Sequence, residues 1–403
     1  MAANFQDRGI MRRFSAVLHH RRAGFHSNAM AVWNVPPERS IEVGNTMAQS
    51  RWVTHCYERP TFPDWQYTHF TMIHATTDAT CEDVAKDISE ATGISVEGLG
   101  WPAAPGIWSD EQVEGWKQVT QAVHDEGGLI VLQMWHMGRL VHPDFLGGNP
   151  PVSASATTAP GHAHTFEGRK DYEQARAATV EDIARIVEDY RKAAENAKKA
   201  GFDGVQLHAA NGYLIDQFLR DSTNLREDEY GGSAENRTRI LREVLTALID
   251  VWGKDRVGVR LSPNGETQGC DDSDPATTFG AAAKVVEELG VAFLELREPG
   301  PDGTFGSTDV PKQSPLIRKI YSGTLVLNSD YSAAEAVADI DAGRADAISW
   351  GRDFIANPDL PERFKLGADI APNVDVPRSW YGKGPHGYID YPKLTDEDQA
   401  AVG

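Results

Sequence analysis

What most limits the fold of this 403-residue chain is a recurrence of short apolar runs, each followed by a stretch with helical spacing. Asp87–Ala91, Leu129–Trp135, Gly204–His208, Arg256–Leu261, Val291–Leu296, Thr324–Asn328 and Asp346–Trp350 read as seven strands. Between them, Val113, Trp116, Val119, Thr120 and Val123 share one helical face, and Gly127-Gly128 ends it. Thr179 can cap a helix carrying Val180, Ile183, Ile186, Val187, Tyr190, Ala194 and Ala197, which Gly201 stops. Further helices are expected from about Ser233 to Trp252, from Pro275 to Leu289 and from Ala333 to Ala342. Strands buried on both faces and alternating with helices favour an α/β fold of the (β/α)8 TIM-barrel kind over an open doubly wound sheet. No Gly-x-Gly-x-x-Gly follows the first strand of a unit, so the dinucleotide fingerprint of the open sheet is missing.

Eight strands close such a barrel, and the missing first one must come from residues 1–85. That segment shows neither a helical nor a strand period, and Ser50–Cys56 is its best candidate strand. Its vocabulary also differs: residues 1–60 hold eight Arg, no Lys and four acids, a net of +4, while the whole chain carries −20. Lys86 is the first lysine. An Arg-rich opening is the style of an organelle transit peptide; an unstructured extension or a shifted reading frame gives the same picture, and without a transit function the setting is cytoplasmic. We therefore set residues 1–85 apart from a barrel at 86–394 and a tail at 395–403. Within the barrel, His142 to Ala178 is a long excursion with four prolines, the expected form of a lid. No run of eighteen apolar residues is present, and the acidic balance argues against a nucleic-acid partner. Cys56, Cys81 and Cys270 have neither disulfide-framework nor metal-ligand spacing.

Chemistry concentrates where strands end. The stretch Gly204–Leu214 presents an imidazole, a carboxamide and a phenol within six residues, at His208, Asn211 and Tyr213. Two donors aimed at one oxygen stabilise charge developing there. Each residue alone has a plainer reading, a satisfied core histidine or an ordinary Asn-Gly turn. In a barrel, however, they share a cavity with Gln133, Trp135 and His136, with Arg260, and with Asn328-Ser329 and Gly351-Arg352. The last two pairs occupy the place where such barrels bind phosphate through backbone N–H groups. A guanidinium on a buried strand needs an anion, and a phosphorylated, electron-accepting ring meets both demands.

These segments resemble the Old Yellow Enzyme family of FMN-dependent ene reductases. The resemblance runs from about Ile88 to Leu394 and rests on Pro105–Trp108, Leu132–Arg139, Gly201–Leu214, Asp228–Arg237, Val259–Pro263 and Trp350–Leu360, with a tail Tyr381-Gly382 and Gly387–Pro392. It implies a TIM barrel holding FMN, with NAD(P)H as donor and a small enone or nitro compound as substrate. Gln133 would bond the flavin pyrimidine edge, Arg260 would face N1–C2=O, and Asn328, Ser329, Gly351 and Arg352 would hold the phosphate. His208 and Asn211 would bind the substrate oxygen, Tyr213 would protonate Cα, and Trp135 and Tyr381 would line the pocket. The chain departs from the family at Asn328–Tyr331, where many relatives have Gly-Gly, and in residues 1–85, where the family's opening strand is not legible. A barrel that fails to retain FMN for want of that strand is the alternative function. A metal hydrolase using His136 and His142, or His162 and His164, is a third, although their spacing fits no common zinc pattern, and no metal is expected. The protein is expected as a monomer or homodimer.

Overall fold

The computed structural model describes residues 27–33, 43, 47, 53–58, 69–75, 105–165, 167–303, 306–372 and 390–395. The chain forms two compact units, residues 1–104 with 142–149 and 164–170, and residues 105–141 with 150–163 and 171–403.

In the first unit, β1 (Ser27–Trp33), β2 (Val53–Glu58) and β3 (His69–Ala75) form an antiparallel sheet in the order β1-β3-β2. A strand is present at the segment proposed at Ser50–Cys56, but one expectation is corrected: it is not a barrel stave and pairs with β3 in a sheet of its own. Val, Thr, Tyr, Phe and Ile give these short runs strand propensity, but propensity does not specify a partner. The strand expected at 87–91 lies outside the described residues.

The second unit is built on a parallel sheet. Its strands are β4 (Val131–Met134), β9 (Gly204–His208), β10 (Val257–Leu261), β11 (Phe293–Arg297), β12 (Thr324–Asn328) and β13 (Ala347–Ser349), hydrogen-bonded in exactly their chain order. The intervening short strands β5 (Val152–Ser153), β6 (His162–Thr165), β7 (Gly168–Asp171) and β8 (Arg176–Ala177) belong to the excursion, where β5 and β8 pair in parallel. Six of the seven expected strands are thus present with ends shifted by at most two residues. Among the described residues the sheet stops at β4 and β13 and does not close.

Helices join the strands: α1 (Asp110–Asp125) precedes β4, and α2 (Val180–Lys199) leads to β9. Then α3 (Leu214–Leu219), α4 (Ala234–Arg237) and α5 (Arg239–Trp252) lead to β10, and α6 (Pro275–Leu289), α7 (Ser314–Ile320) and α8 (Ala333–Asp341) separate the later strands. The short helices α9 (Arg352–Ala356) and α10 (Leu360–Leu366) follow β13. Local chemistry sets several boundaries. Ser109, Thr179 and Ser332 accept from the third residue of α1, α2 and α8, whose side chain returns a bond to the cap backbone. Gly290 ends α6 in the left-handed conformation.

Register divides the sheet into two unlike faces. Leu132, Met134, Val205, Leu207, Val257, Val259, Leu261, Leu294, Leu296, Leu325, Leu327 and Ile348 alternate onto one face and join the core formed with Ile183, Ile186, Tyr190, Leu241, Val244, Leu245 and Leu248 of α2 and α5. The other face carries Gln133, Gln206, His208, Arg260, Glu295, Arg297, Asn328 and Ser349. Gly258 on that face makes room for Phe293, whose ring would lie 2.3 Å from an added Cβ. Fold stability and chemistry therefore sit on opposite sides of the same strands. Leu207 is fully buried on the apolar side. Leu207→Ala should cost about 2–5 kcal/mol in urea denaturation, the usual loss for a buried leucine, while a loss below about 1 kcal/mol contradicts this placement.

Candidate active site

A continuous polar relay crosses the inner face of the sheet. The Gln133 amide donates to Gln206 Oε1 at 2.7 Å, and Gln206 Nε2 donates to Glu295 Oε2 at 2.8 Å. Arg260, paired in register with Glu295, forms an ion pair with its Oε1. The second guanidinium nitrogen of Arg260 donates to Asn328 Oδ1 at 2.8 Å, Asn328 Nδ2 donates to the Ser349 carbonyl at 2.8 Å, and Ser349 Oγ donates to Glu295 Oε1 at 2.6 Å. Burial alone would raise the Glu295 pKa, but the Arg260 charge and the bonds from Ser349, Arg260 and Gln206 outweigh it and hold the carboxyl below its usual range. The anion that Arg260 needs is thus supplied by the protein. Gln206, Glu295 and Ser349 were not singled out from the sequence, although a carboxylate and a carboxamide interrupting aliphatic strands were the available signal.

At the end of β9, three rings meet. The His208 and Tyr213 rings lie 4.9 Å apart at 80°, Trp135 and Tyr213 lie 4.7 Å apart at 69°, and Trp135 stacks on His208 at 6.1 Å and 21°. Edge-to-face contacts of this kind fix ring planes as well as positions. Asn211 enters the turn at φ +59°, and its N–H is bound by Ser262 Oγ at 2.8 Å. Two buried polar atoms here have no hydrogen-bond partner, His208 Nδ1 and Asn211 Oδ1. Buried polar atoms are normally bonded, so an unmet pair on one turn is where a polar ligand atom fits. Rotation of the Asn211 carboxamide by half a turn exchanges its oxygen for its NH2 within the same outline.

Beyond β12 the backbone is left-handed at Ser329 (φ +108°) and Asp330 (φ +52°), a region that glycine enters most freely. Arg352 pairs with Asp330 at 2.5 Å, and Gly351 caps α9 without a side-chain bond. Asn328, Arg260 and Gln133 therefore belong to one bonded set, while Ser329, Gly351 and Arg352 gather at the β12–β13 end. Tyr381 lies outside the described residues. Among the described residues no three His, Cys, Asp or Glu side chains are grouped to hold a metal ion, and no helix is long and apolar enough to cross a membrane.

His208 is pushed down to about 3, by burial first and by the Arg260 charge second, against a smaller opposing effect of Glu295. Its imidazole is neutral through the physiological range, a donor at one nitrogen and an acceptor at the other. Because the folded value lies below the ordinary 6.5, the unfolded chain takes up the proton first. Stability linked to His208 is complete above about 6.5 and falls as pH drops toward about 3, at roughly 1.4 kcal/mol per pH unit inside that window. Urea titrations at pH 7 and pH 5 should show this decline in the wild type and a shallower one in His208→Gln; parallel declines contradict a buried neutral imidazole.

Comparison with known proteins gives the family. The family model for NADH:flavin oxidoreductase / NADH oxidase matches residues 39–370. A putative 12-oxophytodienoate reductase 5 of Oryza sativa subsp. japonica is 41% identical over 320 residues, covering 77% of this chain and 82% of the relative. Flavin oxidoreductase hxnT of Emericella nidulans is 38% identical over 326 residues, 76% of this chain and 83% of the relative. Among solved structures, an old yellow enzyme homologue from Zymomonas mobilis is similar with a TM-score of 0.71 and 57% identity, covering 74% of this chain and 83% of that one. Morphinone reductase in complex with tetrahydroNAD gives a TM-score of 0.69 at 41% identity, covering 74% and 82%. The chain belongs to the NADH:flavin oxidoreductase / NADH oxidase family and is an FMN-dependent, nicotinamide-linked oxidoreductase of the Old Yellow Enzyme type on a TIM-barrel fold.

Proposed function

We propose that this enzyme reduces the activated C=C bond of α,β-unsaturated carbonyl or nitro compounds, with His208, Asn211 and Tyr213 as the groups that act on the substrate. The observation that carries the reading is the pair of unmet buried atoms, His208 Nδ1 and Asn211 Oδ1, on the same turn as the Tyr213 ring.

The residues present fit FMN as a donor set. Gln133 offers a carboxamide to a pyrimidine edge, Arg260 offers positive charge to N1–C2=O, and Asn328, Ser329, Gly351 and Arg352 offer the phosphate a guanidinium, a hydroxyl and backbone N–H groups. FMN, when bound, supplies the hydride it has received from NAD(P)H. The protein's own work is polar and geometric. His208 and Asn211 donate to the carbonyl or nitro oxygen and draw electron density from Cβ toward it. A neutral His208 suits this role, since an imidazolium would compete with Arg260 in a buried site. Tyr213 holds the proton that Cα receives; a phenol with an ordinary pKa of about 10 is protonated at neutral pH and needs no tuning to act as an acid. Trp135 fixes both rings and bounds the substrate pocket on their side.

Purified protein should be yellow, should bleach with NADPH in the absence of oxygen and should recover its colour on addition of cyclohexenone. A colourless protein inert to both contradicts the reading. In stopped-flow measurements Tyr213→Phe should slow reoxidation by cyclohexenone by on the order of 10²-fold, the usual scale for losing a general acid, while reduction by NAD(P)H stays within about twofold. Equal losses in both half-reactions remove Tyr213 from the acid role.

A further inference from the structure

The turn bearing Asn211 and Tyr213 passes through two left-handed residues, Asn211 at φ +59° and Gly212 at φ +78°. Asparagine tolerates this region and glycine enters it freely. Gly212 is also sterically required, because a Cβ there would stand 2.6 Å from the Thr267 carbonyl oxygen. Lying between β9 and α3, these two residues have neither a sheet ladder nor a helix to satisfy their backbone.

Side chains do it instead, for all four groups. The Asn211 N–H donates to Ser262 Oγ at 2.8 Å, and Gln268 Nε2 donates to the Asn211 carbonyl at 2.9 Å. The Gly212 N–H donates to Asp216 Oδ2 at 2.8 Å, and Gln217 Nε2 donates to the Gly212 carbonyl at 2.7 Å. Each of the buried holders is itself held. Asp216 and Arg220, both fully buried, pair at 2.9 Å, and Ser262 Oγ donates to Asp216 Oδ2 at 3.4 Å. Gln217 Oε1 accepts from the Arg139 N–H at 3.1 Å and from Ser153 Oγ at 2.8 Å. The backbone of Asn211 is therefore fully bonded while its side-chain oxygen is left unmet. A turn arranged for stability alone would satisfy both.

We infer that Ser262, Gln268, Asp216 and Gln217 are positioning residues of the reaction, a cage of four side chains that grips the backbone N–H and C=O groups of Asn211 and Gly212 and so aims the Asn211 carboxamide and the Tyr213 hydroxyl. The inference rests on the proposed roles of Asn211 and Tyr213. Its physical basis is that misplacing a reacting group by 1 Å can cost about 10²-fold in rate, whereas loss of one hydrogen bond leaves a domain of this size folded.

The test uses the FMN-loaded full chain in two variants that keep the shape of the site. Ser262→Ala leaves the Asn211 N–H unmet, and Gln268→Glu sets a carboxylate against the Asn211 carbonyl in place of a donor. Each should slow reoxidation by cyclohexenone about 10-fold or more and accelerate amide hydrogen exchange in the segment 209–214, with bound FMN and its midpoint potential unchanged. Wild-type reoxidation despite faster exchange, or unchanged exchange, overturns the cage. So does a rate loss that merely tracks lost FMN, the mark of a general stabilising role. An unmutated protein that binds FMN yet leaves cyclohexenone untouched defeats the parent reading instead, and that control tells the two failures apart.

Discussion

The second unit is organised about one ion pair, the partly buried Arg260 with the buried Glu295, set side by side on adjacent parallel strands. Removing two charges from water is costly, and their attraction offsets that cost only when the remaining donors and acceptors are met. Here Gln206 and Ser349 complete the carboxylate and Asn328 completes the free side of the guanidinium. The pair therefore demands partners from β9, β12 and β13 as well as from its own strands. A sheet that must bring these side chains onto one face has its register settled, because a slip of one residue would send the charges into the aliphatic core on the other side.

From that floor the chemistry follows by division of labour. Strands hold what must not move: Arg260 and Asn328 are bonded to neighbours on both sides, and Gln133 ends the relay on Gln206. The groups assigned to the substrate stand on the single turn after β9, close to the relay in register but supported by a different set of bonds. His208 belongs to both, since it ends the strand paired with Arg260 and begins the turn. The Arg260 charge helps keep its imidazole neutral, so the relay proposed to seat the flavin also conditions the donor proposed for the substrate.

Much of this was legible in the residues. Helices α1, α2, α5 and α6 announce themselves through 3.6-residue spacing, with a cap at α2 read from Thr179, and six strands through aliphatic runs whose alternate members pack outward. The turn Asn211–Tyr213 stood out because three polar heads leave one strand end. What sequence reading missed depends on contacts between distant segments. Glu295 is a neighbour of Arg260 only through strand pairing, so the sequence pointed to a bound ring as the partner of the guanidinium and not to a carboxylate of the chain. Ser262 and Gln268 sit in a loop with no local pattern, and their bonds to Asn211 exist only once β9 and β10 are side by side. The segment at Ser50–Cys56 shows the converse error: its β-forming residues were read correctly as a strand, but nothing local says whether a strand joins a parallel barrel or, as here, an antiparallel sheet.

The most direct test of the central claim follows hydrogen atoms. With NAD(P)H deuterated at the transferable position of the nicotinamide and cyclohexenone in ordinary water, the account predicts cyclohexanone with deuterium at Cβ and a solvent-derived hydrogen at Cα, formed by the wild type and strongly suppressed in His208→Ala and Asn211→Ala proteins that retain FMN. Deuterium at Cα, or undiminished product in those variants, would contradict it.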